Sequence, residues 1–322
     1  MPTPRIAILG AGLAGIAAAQ TLRAAGCETV VFEKSRSYGG RCATRIWNGD
    51  VVDHGAQYFT VGSSEFARAI RANAQLVVHP IEAPLLNENG RPFPEKKRYY
   101  HREGNNRLAR ALAEGLDIRF ETPVPPPEPL PGGWQVCGEP FDRILTTAPL
   151  PQSAALFGLS LDASETYEPC LTLLVRYWGE WLGRTPDRYG LAHSPGGGLR
   201  WSACENHKAS RIQPGRTLLV LHAAAEFSRL HWDGEPQEWG ALLRAELEPA
   251  WGISPAHFDS HFSHRWLFSR LARPVELPAF PEGVSYAGDA ASDSRVESAW
   301  LNGATAAERL LANLQAPPTG ES

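Results

Sequence analysis

The chain opens with short apolar runs separated by glycine turns. After its first residue Arg5–Leu9 (RIAIL) is continuously apolar, which suits a strand covered on both faces. Gly10 interrupts it, and Leu13 to Ala25 reads as an alanine-rich helix closed by Gly26, since glycine accepts the left-handed backbone that ends helices. A second apolar strand, Thr29–Phe32 (TVVF), closes on Glu33. Strand, helix and strand in this order predict one βαβ unit of a parallel sheet. From Asp117 the pattern changes. DIRFET and WQVCG read as antiparallel strands on either side of a proline-rich connector, PVPPPEPLPGG, and FDRILTTAPLP reads as one further strand stopped by prolines. CLTLLVRYW and RTLLVLHAAA read as strands in the middle of the chain, and PQEWGALLRAELEPAW as a helix. Near the end, YAGD leads into SRVESAWLNGATAAERLL: again strand, glycine turn and helix. Residues 316–322 read as a frayed tail.

Composition narrows the classes without choosing one. The 322 residues are 43% hydrophobic and 20% charged, as in an ordinary globular protein with a sizeable core. A net charge of -4 with no basic block argues against nucleic acid and anionic membrane as partners. Apolar runs are broken before they reach the ~18 residues of a membrane span. Ile6 to Ala19 resembles a leader core superficially, but its three regularly spaced glycines mark it as structure. The five cysteines (Cys27, Cys42, Cys137, Cys170, Cys204) are scattered and never C-x-x-C, which points to a reducing, cytoplasmic setting and to no metal site.

Chemistry enters at GAGLAG. Gly10, Gly12 and Gly15 stand in the G-x-G-x-x-G pattern: one glycine for the tight turn, one for close approach of a pyrophosphate, one for helix–strand packing. The free N–H groups of the helix start favour phosphate, and Glu33 stands where a ribose-binding carboxylate is expected. NAD and FAD share this fingerprint. The residues after Glu33 favour FAD. GGR (Gly39, Gly40, Arg41) brings a guanidinium suited to a diphosphate, and DHGAQYF (Asp53 to Phe59) is a further small-residue turn carrying Gln57 and Tyr58.

These two segments, with DRILTTAPLPQ, LHAAAEFSRLHWD, HRWLFSR and YAGDAASDSRVESAWLNGATAAERLL, resemble the flavin-containing amine oxidase superfamily, and more narrowly the renalase-like FAD-dependent oxidoreductases. The resemblance spans nearly the whole chain. It implies an α/β fold of amine oxidase and glutathione reductase type: a Rossmann-type FAD-binding domain from 1–60, 101–150 and 279–315, interleaved with a mixed-sheet substrate domain from 61–100 and 151–278. It implies noncovalent FAD, there being no cysteine after Cys204 to tether it. The implied cofactor-binding residues are Gly10, Gly12, Leu13, Ala14, Gly15, Glu33, Lys34, Gly40, Arg41, Gly55, Ala56, Gln57, Tyr58, Val124, Gly288, Asp289, Arg295 and Val296. Tyr58, Phe268 and Trp300 are the implied catalytic-face residues, with Trp266 as a further wall. The implied reaction is hydride transfer from 2- or 6-dihydro-NAD(P) isomers, with O2 as acceptor; an amine oxidase or a flavin-binding redox sensor are the alternatives. His222 and His264 read as structural. Two places depart from the family pattern: His54, where an aliphatic residue is expected, and HREGNNRLARAL, whose Arg102, Asn105 and Asn106 replace a different glycine-containing turn.

Overall fold

The computed structural model describes residues 3–162, 166–179, 188–273 and 275–315; the tail expected at 316–322 lies outside them. Two sheets organise the described residues. The first is wholly parallel, in the order Val284–Tyr286, Arg143–Thr146, Arg5–Leu9, Glu28–Phe32, Asp117–Arg119. Its central strands are apolar at successive positions because helices and loops cover both faces. On one face Ile6, Ile8, Val31 and Leu145 pack against Ala14, Ala18 and Leu22 of the first helix (Leu13–Ala24) and Ala307 and Leu310 of the C-terminal helix (Val296–Gln315). On the other, Ala7, Leu9, Val30, Phe32 and Ile144 meet Trp134 and Phe141.

Two local readings are corrected here. Asp117–Arg119 is not antiparallel: it joins the parallel sheet with Ile118 opposite Val31. The preceding helix, Asn106–Leu112, supplies the crossover, tied to the first helix by Gln20 Nε2 donating to Leu112 O at 2.6 Å. FDRILTTAPLP is two strands rather than one. Glu139–Phe141 belongs to a small antiparallel sheet with Gly133–Val136 and Glu128–Leu130, the last lying inside the proline-rich connector, whereas Arg143–Thr146 enters the parallel sheet. Asp142, between them, accepts the Arg5 backbone N–H at 2.7 Å and anchors the change of sheet.

The second sheet runs Phe258–Leu271, Tyr167–Trp178, Arg216–Ala223, Leu199–Cys204, Gly190–Ala192, Leu85–Leu86, antiparallel except for its last pair. Leu171, Leu173, Val175 and Tyr177 alternate onto one face, the period of a strand. Trp239, Leu243, Leu247 and Trp251 recur every fourth residue on the helix Pro236–Trp251, and the two rows interlock. Gly252, at φ 65°, ends that helix.

One contact fixes how the two long helices of the parallel sheet cross. A Cβ at Gly303 would lie 2.0 Å from Ala14 O, so the helices approach as closely as backbones allow. Gly303→Ala is therefore expected to cost about 1–3 kcal/mol or more through overpacking, read as a lower urea midpoint with an unchanged m-value. A stability equal to the parent would show that the crossing relaxes freely.

Candidate functional site

Four segments from distant parts of the sequence converge beside the C-terminal ends of the parallel strands. At the first turn, Gly10 takes φ 116°, and a Cβ at Gly15 would lie 1.9 Å from Gly10 O, so both glycines serve the turn itself. Gly12 differs: a Cβ there meets nothing within 4 Å, leaving room above the start of the first helix. Leu13 and Ala14 lie buried just behind, in the first turn of that helix. Glu33 is buried and braces the turn, accepting Ala11 N–H at 2.8 Å through one oxygen and Ser35 N–H at 2.8 Å through the other. Lys34 is exposed, and Val124 packs partly buried onto the cluster containing Leu9 and Phe32.

The GGR segment docks directly on this turn. Gly39 N–H donates to Ala11 O at 3.0 Å, and Gly40 faces Gly12 at φ 54°. Arg41 then reaches the far glycine turn, holding Asp289 with two bonds of 2.5 and 2.8 Å. Asp289 is 2% exposed and also accepts from Tyr167 Oη at 2.6 Å and Ser294 Oγ at 2.8 Å. Burial alone would raise its pKa; the Arg41 guanidinium and the two hydroxyls overrule it and hold the carboxyl below the usual range. Asn302, one face along the C-terminal helix, donates to Gly288 O and Ser292 Oγ, both at 2.8 Å, and sets the helix over this turn. Glu297, in the helix's first turn, accepts Gly62 and Ser63 N–H groups at 2.9 and 2.6 Å, coupling it to the loop after Phe59.

The Gly55–Tyr58 segment is held from behind by charge. Asp53, Glu205, Lys208 and Arg211 are all fully buried: Lys208 Nζ lies 2.9 Å from Asp53 and 2.7 Å from Glu205, and Arg211 2.5 and 3.0 Å from the same two carboxylates. Burial would raise the Asp53 pKa, but the two cations keep the carboxyl well below its ordinary value. Asp53 also accepts Asn105 N–H at 2.9 Å, and the Asn105 amide donates to Ala56 O at 2.9 Å. Tyr189 Oη, within 3.3 Å of Glu205, reaches Gln57 O at 3.4 Å. The unusual HREGNNRLARAL stretch is thus a support for the turn in front of it.

In front lies a cavity of about 510 Å³. Gly55–Thr60 and Ser294–Val296 form one wall; Ala192, Arg200, Trp201, His222 and Arg270 from the antiparallel sheet, with Lys96 and Arg98, form the other. The sequence-derived candidates Gly55, Ala56, Gln57, Tyr58, Arg295 and Val296 are brought together here. Phe268 and Trp300 are not on this wall: Phe268 packs edge-on against Tyr167 at 5.7 Å, and Trp300 against Phe66 at 5.5 Å. Trp266 stacks on His54 at 5.5 Å, behind the wall. Sequence reasoning missed Tyr167, Arg200 and Trp201, which only the register of the antiparallel sheet could have placed, and Asn302, which the last helix carries back over the Gly288 turn.

The three histidines are packed together. His264 lies 5.0 Å from His54, and His222 Nε2 donates to His54 O at 3.3 Å. Burial lowers all three pKa values, His54 to about 3 and His222 to about 4, so they are neutral and structural at pH 7, in keeping with the reading of His222 and His264. No cluster of metal-binding type is found among the described residues, nor a helix long and apolar enough to cross a membrane.

Residues 8–72 match the family of NAD(P)-binding Rossmann-like domains. The fold is shared with amine oxidases. Cyclohexylamine oxidase from Brevibacterium oxydans superposes with a TM-score of 0.77 at 12% identity, covering 98% of this chain and all of the other. Putrescine oxidase bound to putrescine gives 0.70 at 15%, covering 97% and all of the other. Identities this low show the fold alone. In sequence, protoporphyrinogen oxidase 2 of Arabidopsis thaliana is 31% identical over 100 residues, 31% of this chain but only 18% of that protein.

Three outcomes are expected from this geometry. Gly12→Val should keep stability within about 1 kcal/mol, the scale of a helix-cap change, while abolishing dinucleotide retention; binding equal to the parent would separate the turn from any nucleotide. Lys208→Met leaves two buried carboxylates with one cation and should cost about 3–5 kcal/mol, measured by urea unfolding. Because His54 and His222 have folded pKa values below their unfolded value of ~6.5, unfolding takes up protons in acid. Stability should be full above pH 6.5 and fall toward pH 4. His54→Leu should flatten that slope by up to one proton, ~1.4 kcal/mol per pH unit; an identical slope in the variant would show His54 to be charged in the folded state.

Proposed function

We propose that the chain is a FAD-dependent oxidoreductase of the amine oxidase superfamily, of renalase-like type, acting on 2- or 6-dihydro-NAD(P) isomers. The observation that carries the proposal is the Arg41–Asp289 bridge, which joins the two strand-to-helix turns and ends beside the cavity. A single extended dinucleotide accounts for both turns. The residues fit one: open space above Gly12, a carboxylate at Glu33, a guanidinium–carboxylate pair midway, and a cavity at the far end. The first helix and Gly12 would hold the pyrophosphate, Glu33 the adenosine ribose, Arg41 and Asp289 the middle, and Gly55–Tyr58 with Val296 the ring. The chemistry that noncovalently held FAD would supply there is two-electron: a hydride equivalent taken from the dihydropyridine, which leaves as the aromatic nicotinamide cation, and the electron pair passed with two protons to O2 as H2O2.

This chain's residues orient rather than react. The N-terminus of the C-terminal helix stabilises negative charge facing it, and Tyr58 and Trp201 offer flat apolar surface for a substrate ring; His222 beside them on the lining is neutral, as are His54 and His264 packed around it. Hydride donation by a dihydropyridine needs no general base, which agrees with the lack of any carboxylate on the lining. An amine oxidase reading is favoured by the shared fold, and Trp201 gives it a second aromatic beside Tyr58. The charge of the walls opposes it, because five basic residues and no acidic one line the cavity, a poor receptor for a protonated amine.

The deciding experiment is the anaerobic visible spectrum of the purified protein before and after addition of mixed dihydro-NAD isomers. Rapid bleaching of an oxidised-flavin spectrum is expected, with peroxide formed on admitting air. A yellow protein bleached by an amine and not by these isomers would overturn the substrate; a colourless protein with no affinity for FAD would overturn the whole reading. Arg41→Ala is expected to weaken FAD binding about 10- to 100-fold, because it unties the two turns and leaves the buried Asp289 carboxylate facing the cofactor without its cation.

A further inference from the structure

The cavity lining carries more positive charge than its ion pairs neutralise. Of its five basic residues, Arg270 is paired with Glu168 at 2.5 Å and Arg295 with Asp293 at 2.6 Å. Lys96, Arg98 and Arg200 have no carboxylate within ion-pair distance among the described residues. Arg98 leans over the Tyr58 ring, 5.7 Å from its centre, and donates to Lys96 O at 3.0 Å. Arg200 is the more telling. It stands on the strand Leu199–Cys204, half-buried, with only the Cys170 thiol as a side-chain partner, and burial lowers its pKa. Glu168 acts on it only from beyond ion-pair distance and is already bridged to Arg270, and a guanidinium held partly out of water without an ion-pair partner of its own is destabilising for the fold by itself.

A second observation points into the same space. Gln57 is 4% exposed, and its amide orientation is set because Oε1 accepts the Trp201 indole N–H at 2.7 Å. Its Nε2 is thereby committed as a donor, is buried, and has no partner in the protein. Gln57 and Trp201 both line the cavity, and Arg200 is the immediate neighbour of Trp201. The charged and unpartnered polar groups of the lining are donors: the free N–H groups of Gln57, the guanidinium of Arg200, and the cations of Arg98 and Lys96. A group that only accepts hydrogen bonds and carries negative charge suits such a lining.

We infer that Arg200 and Gln57 form an anion-recognition subsite that selects substrates bearing a carboxylate or phosphate. The inference rests on the cavity being the substrate site of the proposed oxidoreductase and adds the residues that choose among substrates. Arg200 acts by binding; it takes no proton and donates no electrons.

The test is calorimetric binding to the protein as purified, using two pairs in which one member carries an anionic group and the other is neutral. Nicotinate against nicotinamide tests a carboxylate; ribose 5-phosphate against ribose tests a phosphate. The anion of at least one pair is expected to bind 10-fold or more tightly than its neutral partner, and the pair that shows it identifies the group. The preference should weaken as salt is raised. Arg200→Gln should erase the preference while unfolding at the same temperature as the parent or higher, because a desolvated charge has been removed. Arg200→Lys should restore part of it, losing the paired geometry but keeping the charge. Equal affinity within both pairs, a preference undiminished in Arg200→Gln, or a marked drop in the melting temperature of both variants would overturn the inference, the last by showing Arg200 to be structural. Failure is separable from that of the proposed function. A protein that prefers anions but holds no flavin would sink the oxidoreductase and leave the subsite; one that bleaches with dihydronicotinamides but is blind to charge would do the reverse.

Discussion

Four charges sealed from water hold the site wall in place. Asp53, Glu205, Lys208 and Arg211 come from the hairpin Thr44–Asp53 and from the turn after the strand Leu199–Cys204, so they fasten a segment of the nucleotide-binding part to the antiparallel sheet. Each ion alone would be costly to bury by several kcal/mol. Two carboxylates and two cations within 3 Å of one another, with Thr44, Asn105 and Tyr189 filling further hydrogen-bond positions, make the group neutral and nearly satisfied. An apolar replacement could match its stability, but it would not dictate which segments meet. Ion pairs of this kind have one low-energy arrangement, and here that arrangement presents Gly55–Tyr58 toward the cavity.

The same logic governs the other end of the groove. Arg41 is carried by the segment docked on the first glycine turn, and Asp289 by the last strand of the parallel sheet, so their bridge measures the distance between the two turns. Tyr167, from the antiparallel sheet, donates to the same carboxylate. A single buried carboxylate therefore senses three separate elements. A cofactor lying along the groove would be gripped by parts that already hold each other, which reduces the ordering entropy lost on binding.

Much of this is legible along the chain because it is local. The first βαβ unit, the roles of Gly10 and Gly15, the helix Pro236–Trp251 and the start of the last helix come from apolar period and glycine placement within a few residues. The features that escape such reading depend on sheet register and on long-range approach. Trp201 enters the cavity because it lies opposite His222 in the antiparallel sheet, and no feature of its own neighbourhood says so. Asp117–Arg119 looks like any short polar-flanked strand; only the helix before it decides that it runs parallel. Phe268 and Trp300 lie outside the cavity lining. Aromatic residues near a family motif invite a role at the reacting face, whereas a large apolar ring finds burial in packing first, here against Tyr167 and Phe66. The HREGNNRLARAL stretch departs from the family pattern in sequence, yet it holds the turn through Asn105.

Fold likeness and wall chemistry pull in different directions on substrate. The superposed oxidases act on amines by name, yet Lys96, Arg98 and Arg200 line the cavity here with no carboxylate among the described lining residues, an electrostatic setting that disfavours a cation. A backbone frame that holds a dinucleotide can be common to both, because the demands of such a cofactor on glycine turns and helix ends do not depend on what is oxidised. The antiparallel sheet supplies the opposite wall. Arg200, Trp201 and His222 project from adjacent strands of that sheet, so substitutions at these positions can change the charge of the pocket without disturbing the parallel sheet or the bridge between its turns. On the proposed reading, selection for substrate and retention of cofactor would fall on different sheets, with the buried charges of Asp53 and its partners as the joint between them.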